Sequence, residues 1–213
     1  MDQVKQTPAK AISILRHAEK LFAHKGFEAT SVREIAHAAK VNVAMISYYF
    51  GSKEKLLEKL FEKRMTSGLE FVQQIMESPE LNEWQKMTVI LRNYVNNIFH
   101  AQNFYLVMLS TQVTTKNKRI LALLRRTRLN YIELFDLFAL LGVEKRLFKY
   151  RPDPYLLQST IIGSLYYALQ MKPVFKDHSK NHQSLAEFDE EYFNKLFEYL
   201  KNILATLLGY EDN

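Results

Sequence analysis

The segment from residue 28 to residue 55 constrains the fold more than any other part of the chain. Ser31 and Glu34 fit a capping box, in which a hydroxyl and a carboxylate each satisfy a backbone N–H at the start of a helix. A tight turn is predicted at residues 41–42, and Gly51 ends the short helix that follows it. Short helices joined in this way predict a helix-turn-helix unit, which lays one helix in the major groove of DNA.

The rest of the chain is predicted to be helical as well. Apolar residues recur every three or four positions almost everywhere, and no stretch alternates convincingly at a period of two. We therefore predict an all-α fold of about nine helices, in which a long fourth helix joins an N-terminal three-helix head to a C-terminal helical ligand-binding and dimerisation domain. The head is assigned to residues 1–52 and the C-terminal domain to 53–213. The fourth helix is predicted at about 53–76 and the later ones at about 83–100, 103–113, 117–141, 154–172 and 187–208, with a polar loop at 173–186.

The charge is concentrated near the N-terminus. Residues 1–65 hold 12 Lys and Arg against 7 Asp and Glu, whereas residues 66–213 hold 17 against 16. A basic first segment followed by a nearly neutral one is typical of a DNA-binding head on a different kind of body.

Composition excludes several classes of site and compartment. Cysteine is absent, which excludes disulfide scaffolds, thiolate zinc sites and cysteine nucleophiles. The N-terminus lacks the apolar segment of a signal peptide, and the uncharged stretch 154–171 is too polar for a membrane span, so a cytoplasmic protein is expected. No catalytic constellation is found, and His178 and His182 lie in the predicted polar loop, so we expect neither an enzyme nor a metal site.

Three segments near the N-terminus resemble a known protein family. FEATSVREIA at 27–36, VNV at 41–43 and ISYYFGSKEKL at 46–56 resemble the tetracycline-repressor (TetR) family of bacterial regulators, over about residues 10–57. The resemblance implies a homodimer whose body binds a small-molecule effector, and repression of a double-stranded DNA operator that the effector relieves. No cofactor is expected.

Phosphate contacts are expected at two helix starts. Thr30 and Ser31 open the second helix, where hydroxyls and N–H groups suit a phosphate, and Arg33 in its first turn reaches a phosphate or a base edge. Lys53 opens the fourth helix, where its ammonium and the helix N-terminus meet the same phosphate.

Base reading is expected from the third helix. Its apolar side chains contact thymine methyl groups, and at least one tyrosine hydroxyl is expected on a phosphate. The candidates are Asn42, Val43, Ala44, Met45, Ser47, Tyr48 and Tyr49.

Dimerisation is predicted through the last two helices. Small residues in the helix from Pro154 allow close packing, and the last helix carries an apolar stripe, so two helices from each chain would form a four-helix interface. The alternative is that both stripes are used within one chain. The predicted interface residues are Ser159, Gly163, Tyr192, Leu196, Leu200, Ile203 and Leu207.

The body also supplies aromatic residues for an effector pocket that the resemblance implies. Enclosed together, they would form a mostly apolar site with a few hydroxyls. They are Trp84, Tyr94, Phe99, Phe104, Tyr105, Phe135, Phe138, Tyr166 and Tyr167.

Two questions stay open at this level. A basic cluster without acids (Lys116, Lys118, Arg119, Arg125, Arg126 and Arg128) is either a solvated face with acidic partners, a counter-charge for an anionic effector, or a supplementary DNA contact. The leading function is a ligand-responsive repressor, and the alternative is a helical small-molecule-binding protein with vestigial DNA binding. Whether such a regulator represses or activates depends on where its operator lies.

Overall fold

A computed structural model describes residues 8–178 and 184–211, and all regular structure in these residues is helical. The predicted all-α class is therefore confirmed. The helices of the described residues are α1 Ala9–Lys25, α2 Val32–Ala38, α3 Val43–Phe50, α4 Lys53–Met76, α5 Glu83–His100, α6 Gln102–Thr114, α7 Lys118–Glu144, α8 Pro154–His178 and α9 Leu185–Leu208.

Helix α8 is longer than predicted. It continues through Pro173 to His178, whereas a polar loop was expected from residue 173. Proline inside a helix removes one backbone hydrogen bond, but the helix can resume beyond it. The hypothesis that His178 and His182 do not form a metal site falls outside what is described, because His182 and the side chain of His178 are not among the described positions.

Within the described residues the chain forms two compact units. The head unit comprises the residues up to Gly68 together with Asn103–Leu124, and the body unit comprises Leu69–Gln102 together with the residues from Arg125 onward. Helix α4 contributes residues to both units. The functional division at residue 52 remains a prediction, since the compact units divide at other positions.

The core of the head unit is formed by large apolar side chains on α1–α4 and α6. Phe22, Ile35, Ile46 and Phe61 are fully buried, and the Phe61 ring lies 5.4 Å from the Phe104 ring of α6. A paired guanidinium and carboxylate also join α1 to α4. Arg64 donates to both carboxylate oxygens of buried Glu19, with Nη2–Oε1 at 3.0 Å and Nη2–Oε2 at 2.9 Å. These contacts fix α1 against α4 and so support the two short helices between them.

The body unit is organised around α5 and α9, which pack along each other. Leu91, Ile98, Leu200 and Leu204 are buried in this core. Helix α9 begins at a second capping box, in which Ser184 accepts from the backbone N–H of Glu187 at 3.2 Å. Gly209 ends the helix in the left-handed conformation, with φ 64° and ψ 36°, which favours glycine.

Candidate DNA-binding site

The start of α2 is fixed by the predicted capping box, and this prediction is confirmed. Ser31 Oγ accepts from the backbone N–H of Glu34 at 3.2 Å, and the Glu34 carboxylate accepts from the backbone N–H of Ser31 at 2.8 Å. Lys25 Nζ donates to the same carboxylate at 2.5 Å. The hydrogen bond from Lys25, followed by those from Ser31, lowers the pKa of Glu34 to about 2. A lowered carboxyl pKa means that this cap stabilises the fold above the unfolded pKa and loses its effect as pH falls towards 2.

The turn between α2 and α3 positions the third helix. The backbone N–H of Val41 donates to the carbonyl of Ala36 at 3.0 Å, and Lys40 has a positive φ of 54°, which is rare for a residue other than glycine. Asn42 then caps α3, because its Oδ1 accepts from the backbone N–H of Ala44 at 2.9 Å. The turn therefore fixes the direction in which α3 leaves α2.

Helix α3 has two distinct faces. Ile46 and Phe50, four positions apart, are buried against the head unit. The opposite face is exposed, and the Tyr48 side chain is 79% exposed. This arrangement leaves a row of short side chains and one tyrosine facing outward. Of the predicted third-helix residues, Asn42, Val43, Ala44, Ser47 and Tyr48 are exposed, and Met45 and Tyr49 are half-buried.

Thr30 differs from its predicted role. It is 1% exposed, and its hydroxyl donates to the carbonyl of Gly26 at 2.8 Å. The hydroxyl is thus used inside the fold, where it stabilises the turn between α1 and α2, and it is not presented to a phosphate. Ser31 and Arg33, by contrast, are exposed at the start of α2.

Lys53 makes contacts that the sequence did not reveal. Its ammonium donates to the carbonyls of Phe27 at 2.8 Å, Thr30 at 3.0 Å and Glu28 at 3.4 Å, and lies 4.3 Å from the centre of the Phe27 ring. An ammonium has three N–H donors, so these carbonyls use its whole donor capacity. Lys53 therefore ties the α1–α2 turn to the start of α4. A contact to phosphate would require at least one of these bonds to open.

The compact units separate charge more sharply than the sequence position does. The residues of the head unit, with the N-terminal segment included, hold 15 Lys and Arg against 7 Asp and Glu, and the remaining residues hold 14 against 16. Lys116, Lys118 and Arg119 account for the gain, since residues 103–124 contain no acid. Asn117 joins this segment to α4, because its Nδ2 donates to Glu58 Oε1 at 2.8 Å. The unit that contains the helix-turn-helix therefore carries a positive net charge, whereas the other unit does not.

The predicted dimer residues divide into two groups. Leu200 is 0% exposed, so its assignment to an interface is wrong for this fold: it lies between buried Phe197 and Leu204 on the inward face of α9. Tyr192 is half-buried, and its hydroxyl donates to the carbonyl of Ala168 at 2.8 Å. The remaining residues are exposed or half-buried on α8 and α9, namely Ser159, Gly163, Leu196, Ile203 and Leu207.

The outer face of α8 is suited to close packing. Ser159 and Thr160 donate their hydroxyls to backbone carbonyls of the same helix, at 2.7 and 2.9 Å. Nothing lies within 4 Å of the position that a Cβ on Gly163 would occupy. Leu156 and Tyr167 are exposed on the same face, and sequence reasoning missed Leu156 because periodicity alone does not show which apolar face is left uncovered.

The predicted pocket residues are not all in one unit. Phe104 and Tyr105 are buried in the head unit, and the other seven belong to the body unit. Trp84 stacks on Tyr210 with ring centres 4.2 Å apart, which makes it a core residue. Tyr167 is 64% exposed on α8, so it does not line an enclosed pocket within one chain.

The remaining body aromatics are buried or half-buried, and two of them lie against other rings. The rings of Tyr94 and Tyr131 meet edge to face at 5.1 Å, and burial raises the pKa of Tyr131 to about 12. Phe99 lies 5.5 Å from Phe193. Phe138 is buried, while Phe135 and Tyr166 are half-buried. Among the described residues no group of three or more His, Asp or Glu side chains is arranged to hold a metal. None of the described helices is both long and apolar enough to cross a membrane.

An exposed third helix on a basic head unit is the arrangement of a helix-turn-helix protein, and comparisons with known proteins find relatives of this N-terminal segment. Residues 14–60 match the model of the bacterial regulatory proteins of the tetR family. The probable HTH-type transcriptional regulator YttP of Bacillus subtilis is 60% identical over 47 residues, which is 22% of this chain and 23% of that protein. The matches thus span about a quarter of the length of the curated relatives. Residues 14–60 of this chain therefore form an N-terminal domain of the tetR type.

Solved structures share the whole fold at low sequence identity. The fatty acid degradation regulator FadR of Bacillus halodurans has a TM-score of 0.73 and 22% identity, and the comparison covers 97% of this chain and 100% of that one. FadR of Bacillus subtilis, solved in complex with stearoyl-CoA, has a TM-score of 0.64 and 21% identity, covering 89% of this chain and 96% of that one. At this identity the likeness concerns the fold alone.

Proposed function

We propose that this chain is a ligand-responsive transcriptional regulator that acts as a homodimer on a palindromic DNA operator, most simply as a repressor. The observation that carries the proposal is the outward face of α3, which stands opposite the buried Ile46 and Phe50 in a head unit with a strong positive charge. A short exposed helix on a basic unit is suited to a major groove flanked by phosphates.

Base reading is assigned to the short side chains of α3. Val43 and Ala44 are exposed and apolar, which suits contact with thymine methyl groups, and Ser47 offers a hydroxyl beside them. Tyr48 has a highly exposed side chain and is proposed to reach a phosphate through its hydroxyl. Ser31 and Arg33 are proposed to contact the backbone at the start of α2.

Two copies of the chain are required to read an operator of useful length. One short helix reads few base pairs, whereas two heads one helical turn apart read a palindrome. We assign the interface to the outer faces of α8 and α9, where Gly163, Leu156 and Leu207 are exposed. A two-fold interface uses the same patch on both chains, so the patch must pack against its own copy. The small and apolar side chains on the outer face of α8 allow such packing.

Control is proposed to come from an effector in the body unit. A ligand shifts the regulator only by the difference between its affinities for the DNA-binding state and for the other state. Helix α4 contributes residues to both units, and we assign it the coupling role. Acyl-CoA thioesters are the first candidates for the effector, because a fold relative was solved with stearoyl-CoA and the body aromatics offer apolar surface with hydroxyls.

Selection of bound duplexes from a random pool tests this proposal. The parent protein should enrich a palindrome with half-sites about one helical turn apart. Changing Ala44 or Met45 to serine should alter the preferred bases, whereas the change Lys195→Ser on α9 should leave them unaltered. The proposal fails if the parent enriches no sequence, and the assignment of the bases to α3 fails if both changes leave the preference intact.

A further inference from the structure

A buried ion pair joins α8 to α9 in the body unit, beside Gln102. Lys172 Nζ on α8 donates to Asp189 Oδ2 on α9 at 2.6 Å and to Gln102 Oε1 at 3.0 Å. Gln102 opens α6, and its Nε2 lies 3.5 Å from the same Asp189 oxygen. The two charged side chains are only 12% and 11% exposed, so both charges are largely removed from water.

One oxygen of this pair has no hydrogen-bond donor. Asp189 Oδ1 is buried and has no partner among the described residues. A buried carboxylate oxygen without a donor is costly, and nearly all such groups in native proteins are satisfied by protein, water or a ligand. Lys172 already neutralises the carboxylate, so the oxygen needs a donor and does not need another charge.

Aromatic rings connect the ion pair to the surface. Phe193 lies 5.9 Å from Lys172 Nζ, and its ring is 5.4 Å from Tyr192. Tyr192 in turn lies 5.5 Å from Phe175, which is 52% exposed. The ring of Phe99 also lies 5.5 Å from the ring of Phe193. Packed aromatic rings therefore extend from an exposed ring on α8 to the ion pair.

A second ion pair in the same unit provides a comparison. Glu83 accepts from Lys145 at 2.5 Å, and Glu83 Oε2 is also buried without a hydrogen-bond partner among the described residues. Glu83 is the first residue of α5, where backbone N–H groups at the helix start favour negative charge. Burial tends to raise the pKa of Glu83, but Lys145 and the backbone lower it overall. Its partner Lys145 is mostly exposed. Asp189 differs from Glu83 because it lies beyond the first turn of α9, away from the N–H groups of the helix start.

We propose that Asp189, Lys172 and Gln102 form the polar end of an effector site that takes an apolar ligand with an uncharged amide or hydroxyl group. The N–H or O–H of the ligand donates to Asp189 Oδ1, and its apolar part lies against Phe193, Tyr192 and Phe175. The pair is neutral in sum, so a ligand carboxylate would be repelled by the unsatisfied oxygen and a ligand ammonium by Lys172. The amides of an acyl-CoA have this chemistry, and in this respect the inference rests on the proposed function.

Calorimetric titration with decanamide and decanoate, which have equal chain length, tests the site. The parent should bind decanamide at least about tenfold more tightly than decanoate. The double substitution K172M/D189L removes both charges together, since removing one alone would leave a buried unpaired charge. This variant should lose decanamide affinity by at least about tenfold. The matched variant E83L/K145M should bind decanamide as the parent does.

A surface variant guards against loss of the fold. Phe175→Ala changes a half-exposed side chain, so it should leave thermal stability unchanged while weakening decanamide binding several-fold. Operator binding measured on every variant separates this site from the proposed function. The inference is overturned if decanoate binds as well as decanamide, or if decanamide affinity is the same in the parent, K172M/D189L and Phe175→Ala while all three bind the operator.

Discussion

Replacing Gly163 with arginine is expected to make the protein monomeric and to lower its affinity for the operator by at least about 100-fold. The site is exposed on α8, and no atom lies within 4 Å of an added Cβ, so the folded monomer accommodates the new side chain. Arginine in place of glycine also raises helix propensity, by about 0.5–1 kcal/mol. In a two-fold interface the substitution occurs twice, and burying two unpaired like charges costs several kcal/mol.

Sedimentation velocity and operator binding, measured on the same samples, test this expectation. The variant should sediment as one chain with a melting temperature at or above that of the parent. Asn96→Arg places the same charge on an exposed position of α5 outside the proposed interface, and it should remain dimeric. A dimeric Gly163→Arg variant with parental operator affinity would show that the interface lies elsewhere.

Lys53→Met is expected to destabilise the fold by about 1–2 kcal/mol, because three backbone carbonyls lose a charged donor. Methionine keeps the length of the side chain, so the loss reports the ammonium itself. The estimate lies at the lower end of the range for hydrogen bonds to charged groups because Lys53 is half-buried and water replaces part of the interaction. Chemical denaturation of parent and variant measures the difference.

Lys55→Met is the matched control, since Lys55 is exposed two positions further along α4. It should keep parental stability and, if it contacts a phosphate, reduce the salt slope of DNA binding by about one unit. Lys53→Met is expected to lower stability and to leave the salt slope of DNA binding unchanged. The opposite result would be a Lys53→Met variant that unfolds at the parental denaturant concentration but loses about one unit of salt slope. Lys53 would then contact a phosphate, as the sequence predicts, and its hydrogen bonds to the backbone carbonyls would not stabilise the fold.

Local signals made the head predictable. The capping box at Ser31 and Glu34, the start of α4 at Lys53 and the end of α3 at Gly51 depend on neighbours in sequence, and each is found as predicted. The division of α3 into a buried and an exposed face follows from the helical period, because the apolar residues Ile46 and Phe50 are four positions apart.

Contacts between distant residues were not predictable in the same way. Nothing in the sequence near Lys53 shows that its ammonium reaches carbonyls at residues 27–30. On α9 the apolar residues cover most of the helix circumference. Periodicity therefore predicted a stripe, but the packing of α5 decides that Leu200 faces inward. The polar set around Asp189 joins three helices and has no local signal.

The most direct test of the central claim is binding to the selected palindrome and to a duplex of equal length with one half-site scrambled. We measure both by fluorescence anisotropy at about 150 mM salt, where screening suppresses exposed charge effects beyond about 8 Å. The account predicts two chains on the intact palindrome and an affinity at least about 100-fold weaker for the scrambled duplex. Equal affinity for the two duplexes, or one chain on the intact site, would contradict it.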